Sequence, residues 1–473
     1  MCLISSYGQS KITWISTTSV EQWKTQKIVS SPNRSGQIDV EVKMNKPQQT
    51  IDGFGTCFNE LGWTSLSALS TKDREDIMRE LFAPGTGANF TICRMPVGAN
   101  DFSRSWYSYD EIDSDFEMKN FSIANDLQTL IPFIKNAQKY NPNLKLWASP
   151  WSPPTWMKYN HHYACRSVLG NVNFVSEKFG IDMRGINNHL PKTGECTEGS
   201  DMFIQDERHF QAYSLYFTKF IEAYRKEGIN VGMVMPQNEF NSAQPFPSCT
   251  WTAAGLSKFI SYLGPHMQRL GVKLFFGTVE RGNAKLVDTI INSTLGGKFI
   301  SGAGFQWAGK DAIPTIHQRY PNLILYQSEQ ECGNGKNDWD YCEYTWTLMK
   351  HYLTNGANAY MYWNTSLKQG GISTWGWKQN SLVSVDTINK TFNYNYEYYL
   401  MKHLSHFVNP GATRLETTGN FNNLLAFLNP DRSVIIVAEN DADQERELVI
   451  RVRNTIINPK LKAHSFNTIR VAN

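Results

Sequence analysis

The chain lacks a dominant charge. Its 46 Lys and Arg stand against 43 Asp and Glu, a net of +3 over 473 residues, and no basic run forms the footprint of a nucleic-acid binder. It also lacks an apolar run of bilayer-spanning length, so no membrane-spanning helix is expected. Cysteines are few, at positions 2, 57, 93, 165, 196, 249, 332 and 342, and none of their spacings is that of a metal site. Gly333-Asn-Gly-Lys-Asn lacks the spacing and the hydroxyl residue of a phosphate loop, and His161-His162 has no evident third ligand. Neither a cofactor nor a metal is expected.

Hydrophobic residues make up 41%, enough to fill the core of one large domain and a smaller one. The aromatic content is high, with 14 Trp, 21 Tyr and 26 Phe, and many of these rings fall at the ends of strand-like runs. Rings at a pocket mouth suit the flat C–H faces of sugars, although about half of the tryptophans are assigned to packing alone. Cys57 and Cys93 lie in strand-like runs and read as buried thiols, whereas Cys165 and Cys196 flank a polar insertion, where a disulfide and two free thiols both remain open. The Met1 to Gln9 stretch, with Cys2-Leu-Ile followed by small residues, reads either as the stump of an export leader or as a plain chain start. Export, periplasmic or extracellular, is the expectation, and oligomeric state is not legible.

The middle of the chain alternates short apolar runs with amphipathic stretches, the pattern of repeated β-α units around a parallel sheet. Candidate strands begin near Ile51, Asn89, Leu144, Gly232, Val272, Phe299, Leu323 and Ala357. Helical spacing appears between them, at Leu127, Leu130, Ile131 and Ile134, and again at Phe210, Tyr213, Phe217, Phe220, Ile221 and Tyr224 before Gly228. Eight such units predict an α/β fold, a (β/α)₈ TIM barrel over residues 51–409, with a long polar insertion at 158–207 overhanging its mouth. Residues 1–50 and 410–473 show period-two alternation instead, as in Gln37-Ile-Asp-Val-Glu-Val-Lys-Met and Ser433-Val-Ile-Ile-Val-Ala. Both termini are expected to build one small β-sandwich beside the barrel.

Two of the runs close on a carboxylate, Val231-Gly-Met-Val-Met-Pro-Gln-Asn-Glu239 and, about ninety residues later, Leu323-Ile-Leu-Tyr-Gln-Ser-Glu329. If these are strands four and seven, both glutamates stand at one barrel face. A retaining glycosidase needs such a pair, one carboxyl to attack the anomeric carbon and one to shuttle a proton, about 5–5.5 Å apart. Asn238 can then donate to the sugar 2-hydroxyl, and Arg94 is placed to pair with Glu329.

The chain resembles glycoside hydrolase family 30, the family of lysosomal glucosylceramidase and microbial β-1,6-glucanases, over nearly its whole length. The resemblance is carried by Ile51-Asp-Gly-Phe-Gly, Arg94-Met-Pro with Asp101-Phe-Ser, Ala148-Ser-Pro-Trp-Ser-Pro-Pro-Thr-Trp-Met-Lys158, Pro236-Gln-Asn-Glu239, Ser328-Glu329, Trp363-Asn364 and Ser465-Phe-Asn-Thr. It implies Glu239 as acid/base, Glu329 as nucleophile, Asp101 on sugar hydroxyls, and Trp151 and Trp363 against the sugar, with Trp156 assigned to packing. Gln306 and Trp307 complete the expected substrate-binding set of Arg94, Asp101, Trp151, Asn238, Gln306, Trp307 and Trp363.

Three positions depart from the family pattern or leave it ambiguous. Phe240 follows Glu239 where many relatives carry proline. Gly304-Phe-Gln-Trp-Ala308 replaces a pattern with His and Tyr around the tryptophan, so another group must support the nucleophile in place of a tyrosyl hydroxyl at 308. Glu331, two residues beyond Glu329 and on the same face of an extended strand, competes for its role. The resemblance implies a retaining β-glycosidase, with β-1,6-linked glucan as the expected substrate and exo action expected if the 158–207 loop closes the cleft. β-Xylosidase, β-fucosidase, β-galactanase or glucosylceramidase activity, or a silent carbohydrate-binding protein, are the alternatives.

Overall fold

The computed structural model describes residues 12–27, 30–31, 37–168 and 175–473. The Met1 to Gln9 stretch lies outside them. Eight parallel strands close into a barrel, here β1 (Gly53–Cys57), β2 (Ile92–Pro96), β3 (Lys145–Ser149), β4 (Val231–Val234), β5 (Lys273–Val279), β6 (Ile300–Gln306), β7 (Ile324–Glu329) and β8 (Ala357–Asn364). Each neighbours the next in chain order, and β8 pairs with β1 to complete the ring. These strands are almost wholly buried because helices cover the outer face and side chains fill the inner one, which is why they read as near-continuous apolar runs. Every strand start predicted from sequence falls within three residues of an observed strand.

The helix Glu207–Lys226 shows why the periodic reading works. Asp206 caps it by accepting from the His209 N–H, Arg225 and Lys226 fill its last turn, and Phe210, Tyr213, Phe217, Phe220, Ile221 and Tyr224 are buried on one face. The same reading overreaches at Leu127. The helix begins only at Leu130, and Leu127 sits in the 3-10 turn Asp126–Gln128, 47% exposed. The cause is Asp126, whose buried carboxylate accepts from the hydroxyls of Tyr107, Tyr109 and Tyr224 at 2.9, 2.5 and 2.5 Å and holds the chain in the turn.

A second, ten-stranded sheet takes strands from both ends of the chain. Ile12–Thr17 lies antiparallel to Ser465–Val471, and Val40–Thr50 lies between Thr413–Gly419 and Ile450–Val452. Its core of Trp14, Val40, Val42, Ile436, Ile450 and Ile469 is distinct from that of the barrel. The sheet is seated on the barrel partly through His403, whose two ring nitrogens meet Thr17 and Thr468.

The insertion after β3 is anchored at several points. Cys165 and Cys196 form a disulfide, and buried Lys158 donates to the carbonyls of Tyr163 and Ser248 at 2.9 and 2.7 Å. The backbone N–H groups of Cys165 and Arg166 both reach Gln244 O at 3.0 Å, while Asp182 N donates to Gly376 O at 2.7 Å. The insertion therefore braces the two loops that carry Gln244 and Trp377 at the barrel mouth.

Candidate active site

The C-terminal mouth of the barrel opens into a cleft of about 400 Å³ whose walls include Asp101, Trp151, Asn238, Glu239, Trp307 and Glu329. Strand register places the groups behind these walls. Arg94 is the Cα partner of both Cys57 and Trp147, and Gln306 is the partner of Glu329.

Arg94 is the centre of the floor. It is fully buried, its Nη1 donates to Glu329 Oε2 at 2.7 Å, and its Nη2 donates to Asn238 Oδ1 at 2.7 Å and to Ser149 Oγ at 2.9 Å. The guanidinium lies over the rings of Trp151, Trp147 and Trp363, 4.4, 4.9 and 5.4 Å from their centroids. Trp363 is itself buried behind the stacked Trp151, and its indole N–H has no partner. Arg94, Gln306 and Trp363 thus stand behind the cleft surface, whereas Asp101, Trp151, Asn238 and Trp307 face it.

Gln306 joins the two glutamates. Its Nε2 lies 3.1 Å from Glu239 Oε1 and 3.2 Å from Glu329 Oε2, so those oxygens can be no further apart than these two lengths laid end to end. One amide NH₂ thus bridges an oxygen of each carboxyl. Arg94 and Thr278 both donate to Asn238 Oδ1, which leaves the Asn238 amide NH₂ for a ligand.

Glu239 does not end its strand. It lies five residues beyond β4, in a turn at φ +44, a region that non-glycine residues rarely adopt. The turn is held by the Glu239 N–H donating to Thr278 Oγ1 at 2.8 Å, and Gln244 Nε2 donates to Glu239 Oε2 at 3.2 Å. Glu329 is the last residue of β7, and besides Arg94 and Gln306 it accepts from the Trp307 indole N–H at 3.4 Å. The support sought in place of a tyrosine at 308 is thus supplied by these three groups, while Ala308 is exposed.

Glu331 is turned away, contrary to its expected place on the same face. It accepts from Lys310 Nζ at 2.8 Å and from the Tyr344 hydroxyl at 3.0 Å. The strand ends at Glu329, so its two-residue alternation no longer governs position 331. Trp156 packs on Phe116 and His209 and donates to Asp110 O.

Burial pushes both Glu239 and Glu329 upward from the ordinary carboxylate range. The charge of Glu239 pushes Glu329 further up, while the Arg94 guanidinium opposes the rise at Glu329. A site with one directly bonded cation and two carboxyls holds one proton readily, and the direct ion pair puts the negative charge on Glu329 and the proton on Glu239. Asp101 is also raised, first by burial and then by both glutamates, and its Oδ1 is buried without a partner.

Several members of the site escaped the sequence reading: Ser149, Gln244, Thr278, Glu280 and Ser328. Of these, Glu280 carried a usable signal, a carboxylate directly after the buried strand β5, the pattern that marked Glu329.

An eight-stranded barrel holding two bridged, buried carboxyls and aromatic walls at its C-terminal mouth defines a retaining glycoside hydrolase. The model of the glycosyl hydrolase family 30 TIM-barrel domain matches residues 51–174 and 189–408, and that of the family 30 beta sandwich domain matches 411–469. The chain belongs to glycoside hydrolase family 30. It is 30% identical over 433 residues to putative glucosylceramidase 1 of Caenorhabditis elegans, covering 86% of this chain and 76% of that one. An endo-1,6-beta-D-glucanase of Aspergillus fumigatus is 26% identical over 435 residues, 85% of this chain and 81% of that one. The crystal structure of SrfJ from Salmonella typhimurium shares the fold with a TM-score of 0.83 at 22% identity, covering 98% of this chain and 100% of that one. Among the described residues no helix is long and apolar enough to cross a membrane.

Proposed function

We propose that the chain hydrolyses β-glucosidic linkages by double displacement, with Glu329 as nucleophile, Glu239 as acid/base and β-1,6-linked glucan or its oligosaccharides as substrate. The observation that carries the roles is Gln306 Nε2 within hydrogen-bond reach of both carboxyls, while Arg94 bonds Glu329 alone. Glu329 attacks the anomeric carbon as Glu239 gives its proton to the leaving oxygen. The loss of that proton and the neutralisation of Glu329 reverse the local charge, so Glu239 then takes a proton from the water that releases the sugar. The Asn238 NH₂ meets the 2-hydroxyl, Asp101 takes further hydroxyls, and Trp151 backs the ring.

The glucosidic assignment is supported by the relative named putative glucosylceramidase 1, and the β-1,6-glucan assignment by the one named an endo-1,6-beta-D-glucanase. Exo action is the reading for the 158–207 insertion, which braces one side of the mouth. Export is supported by the Cys165–Cys196 disulfide, a bond that persists in oxidising compartments. The test is NMR of the first-formed product from β-1,6-glucan and from aryl β-glucosides. A β-configured product is expected, an α-configured one rejects both assigned roles, and internal cuts from the first turnover reject exo action.

A further inference from the structure

Glu280 is a fourth carboxyl of the cleft, beside Asp101, Glu239 and Glu329, and the chemistry above does not use it. It follows β5 directly, is 2% exposed and lies on the cleft wall. Its Oε1 accepts from the Ser242 hydroxyl at 3.0 Å and from the Asn241 N–H at 3.2 Å. Its Oε2 is buried and has no partner. The nearest cation, Arg281, stands 4.0 Å from Oε1 and is engaged with Glu198 at 3.0 Å. An unmet buried carboxyl oxygen is costly, and Glu280, unlike Glu397, carries its own on a residue of the cleft wall. Here one oxygen is fastened and the other has no partner among the described residues.

The position of Glu280 says what belongs there. It is tied to Asn241 and Ser242, in the turn whose Ser242 N–H closes back on Glu239 O at 2.8 Å, so it stands beside the proton-donating carboxyl. Strands β5 and β6 lie across the barrel from β1 and β2, whose side carries Asp101 against the reacting sugar. The β5 side is therefore that of the leaving group. Its wall offers Ser242, Gln244, Arg281 and Lys310, and Ala308 leaves it open. An alkyl leaving group would strip water from these groups and return no hydrogen bonds.

We infer that Glu280 is the anchor of a leaving-group subsite, where its unpartnered Oε2 hydrogen-bonds a hydroxyl of a sugar, so that the bond cleaved joins two sugars rather than a sugar and a lipid alcohol. This rests on the glycosidase reading above and narrows its substrate class. The donor direction follows from charge. Burial, and then the adjacent Glu239, push Glu280 up to about 8, so it holds a proton at neutral pH. Because Oε1 already accepts two hydrogen bonds, the proton belongs on Oε2, which becomes a donor to a sugar oxygen.

The test compares kcat/KM on a β-1,6-linked gluco-oligosaccharide with that on 4-nitrophenyl β-glucoside, whose leaving group bears no sugar hydroxyl, for wild type, E280A, the volume-matched E280M and the isosteric donor E280Q. The ratio of the two constants is expected to fall about tenfold or more in E280A and E280M and to return to within about threefold of wild type in E280Q. A ratio unchanged in E280A and E280M, or a fall that E280Q does not recover, overturns the inference. So does a wild-type enzyme that turns over the aryl glucoside and not the oligosaccharide. Turnover of neither by wild type removes the β-glucosidic reading itself.

Discussion

The Ser328 hydroxyl donates to Gln306 Oε1 at 2.9 Å, and Arg94 Nη1, which can only donate, reaches the same oxygen at 3.4 Å, so the amide NH₂ is the end that faces the glutamates. With Oε1 so occupied, Nε2 is presented to Glu239 and Glu329. The residue before Glu329 and the Arg94 guanidinium thereby hold a neutral donor on both carboxyls.

Replacing Gln306 with leucine removes that donor without adding charge. A fall in kcat of about 10²-fold is expected, the usual cost of one pre-organised donor. The Gln306 hydrogen bond lowers the Glu239 pKa, so its loss raises it, and the alkaline limb of the pH–rate profile should move to higher pH. Steady-state rates across pH check both outcomes, and an alkaline limb that stays in place contradicts the assigned contact.

Glu329→Gln should lose at least about 10³-fold in turnover and fail to accumulate a covalent adduct with a 2-deoxy-2-fluoro-glucoside, read by intact mass. Glu239→Gln should lose about 10²–10⁴-fold on substrates with poor leaving groups and much less on activated aryl glucosides, with azide restoring turnover as a nucleophile that needs no base. The anomer of the glycosyl azide checks the roles: a β-azide follows from a lost acid/base, and an α-azide from the residue 239 variant would reverse them.

Glu397 should contribute less stability as pH rises from mildly acidic to neutral. Glu397 is fully buried, accepts from Asn380 at 2.8 Å, and leaves Oε2 unpartnered, so burial pushes it up to about 7 from an ordinary 4.5. Between those values the folded state holds a proton that the unfolded chain has released. The contribution is therefore complete below about pH 4.5 and lost as pH passes through about 7. Glu439, also raised to about 7, acts in the same direction. Buried His403, pushed down to about 3, acts in the opposite direction below about pH 6.5, so the check is a difference: melting temperatures of wild type and Glu397→Gln from pH 4.5 to 8 should show wild type losing stability relative to the variant as pH rises.

Reducing the Cys165–Cys196 bond frees a loop with a sequence separation of 31, at a cost of about 3–4 kcal/mol in the chain-entropy estimate. The backbone of Cys165 and Arg166 braces Gln244, which bonds Glu239, so activity should decline together with stability. Melting curves and aryl-glucoside rates of Cys165→Ser with Cys196→Ser, against wild type with and without reductant, check this. Unchanged activity would separate the insertion from the acid/base.

The sequence by itself determined the eight strands, both periodic helical faces apart from Leu127, the identity of the two strand-associated glutamates, and the participation of both termini in a second β unit. Those features follow from local rules: a run buried on both faces is continuously apolar, and an exposed strand alternates. Tertiary structure alone decided who touches whom. Arg94 and Glu329 are 235 residues apart and meet only because the barrel closes, and Gln306 reaches Glu239 across a separation of 67. Glu331 and Glu329 look alike in sequence and differ in space because the strand ends between them. Glu280 is one carboxylate among many in the chain, and only the fold leaves one of its oxygens buried, unmet and beside Glu239. A side chain's partners depend on distances set by the whole closed ring, which no short window of sequence contains.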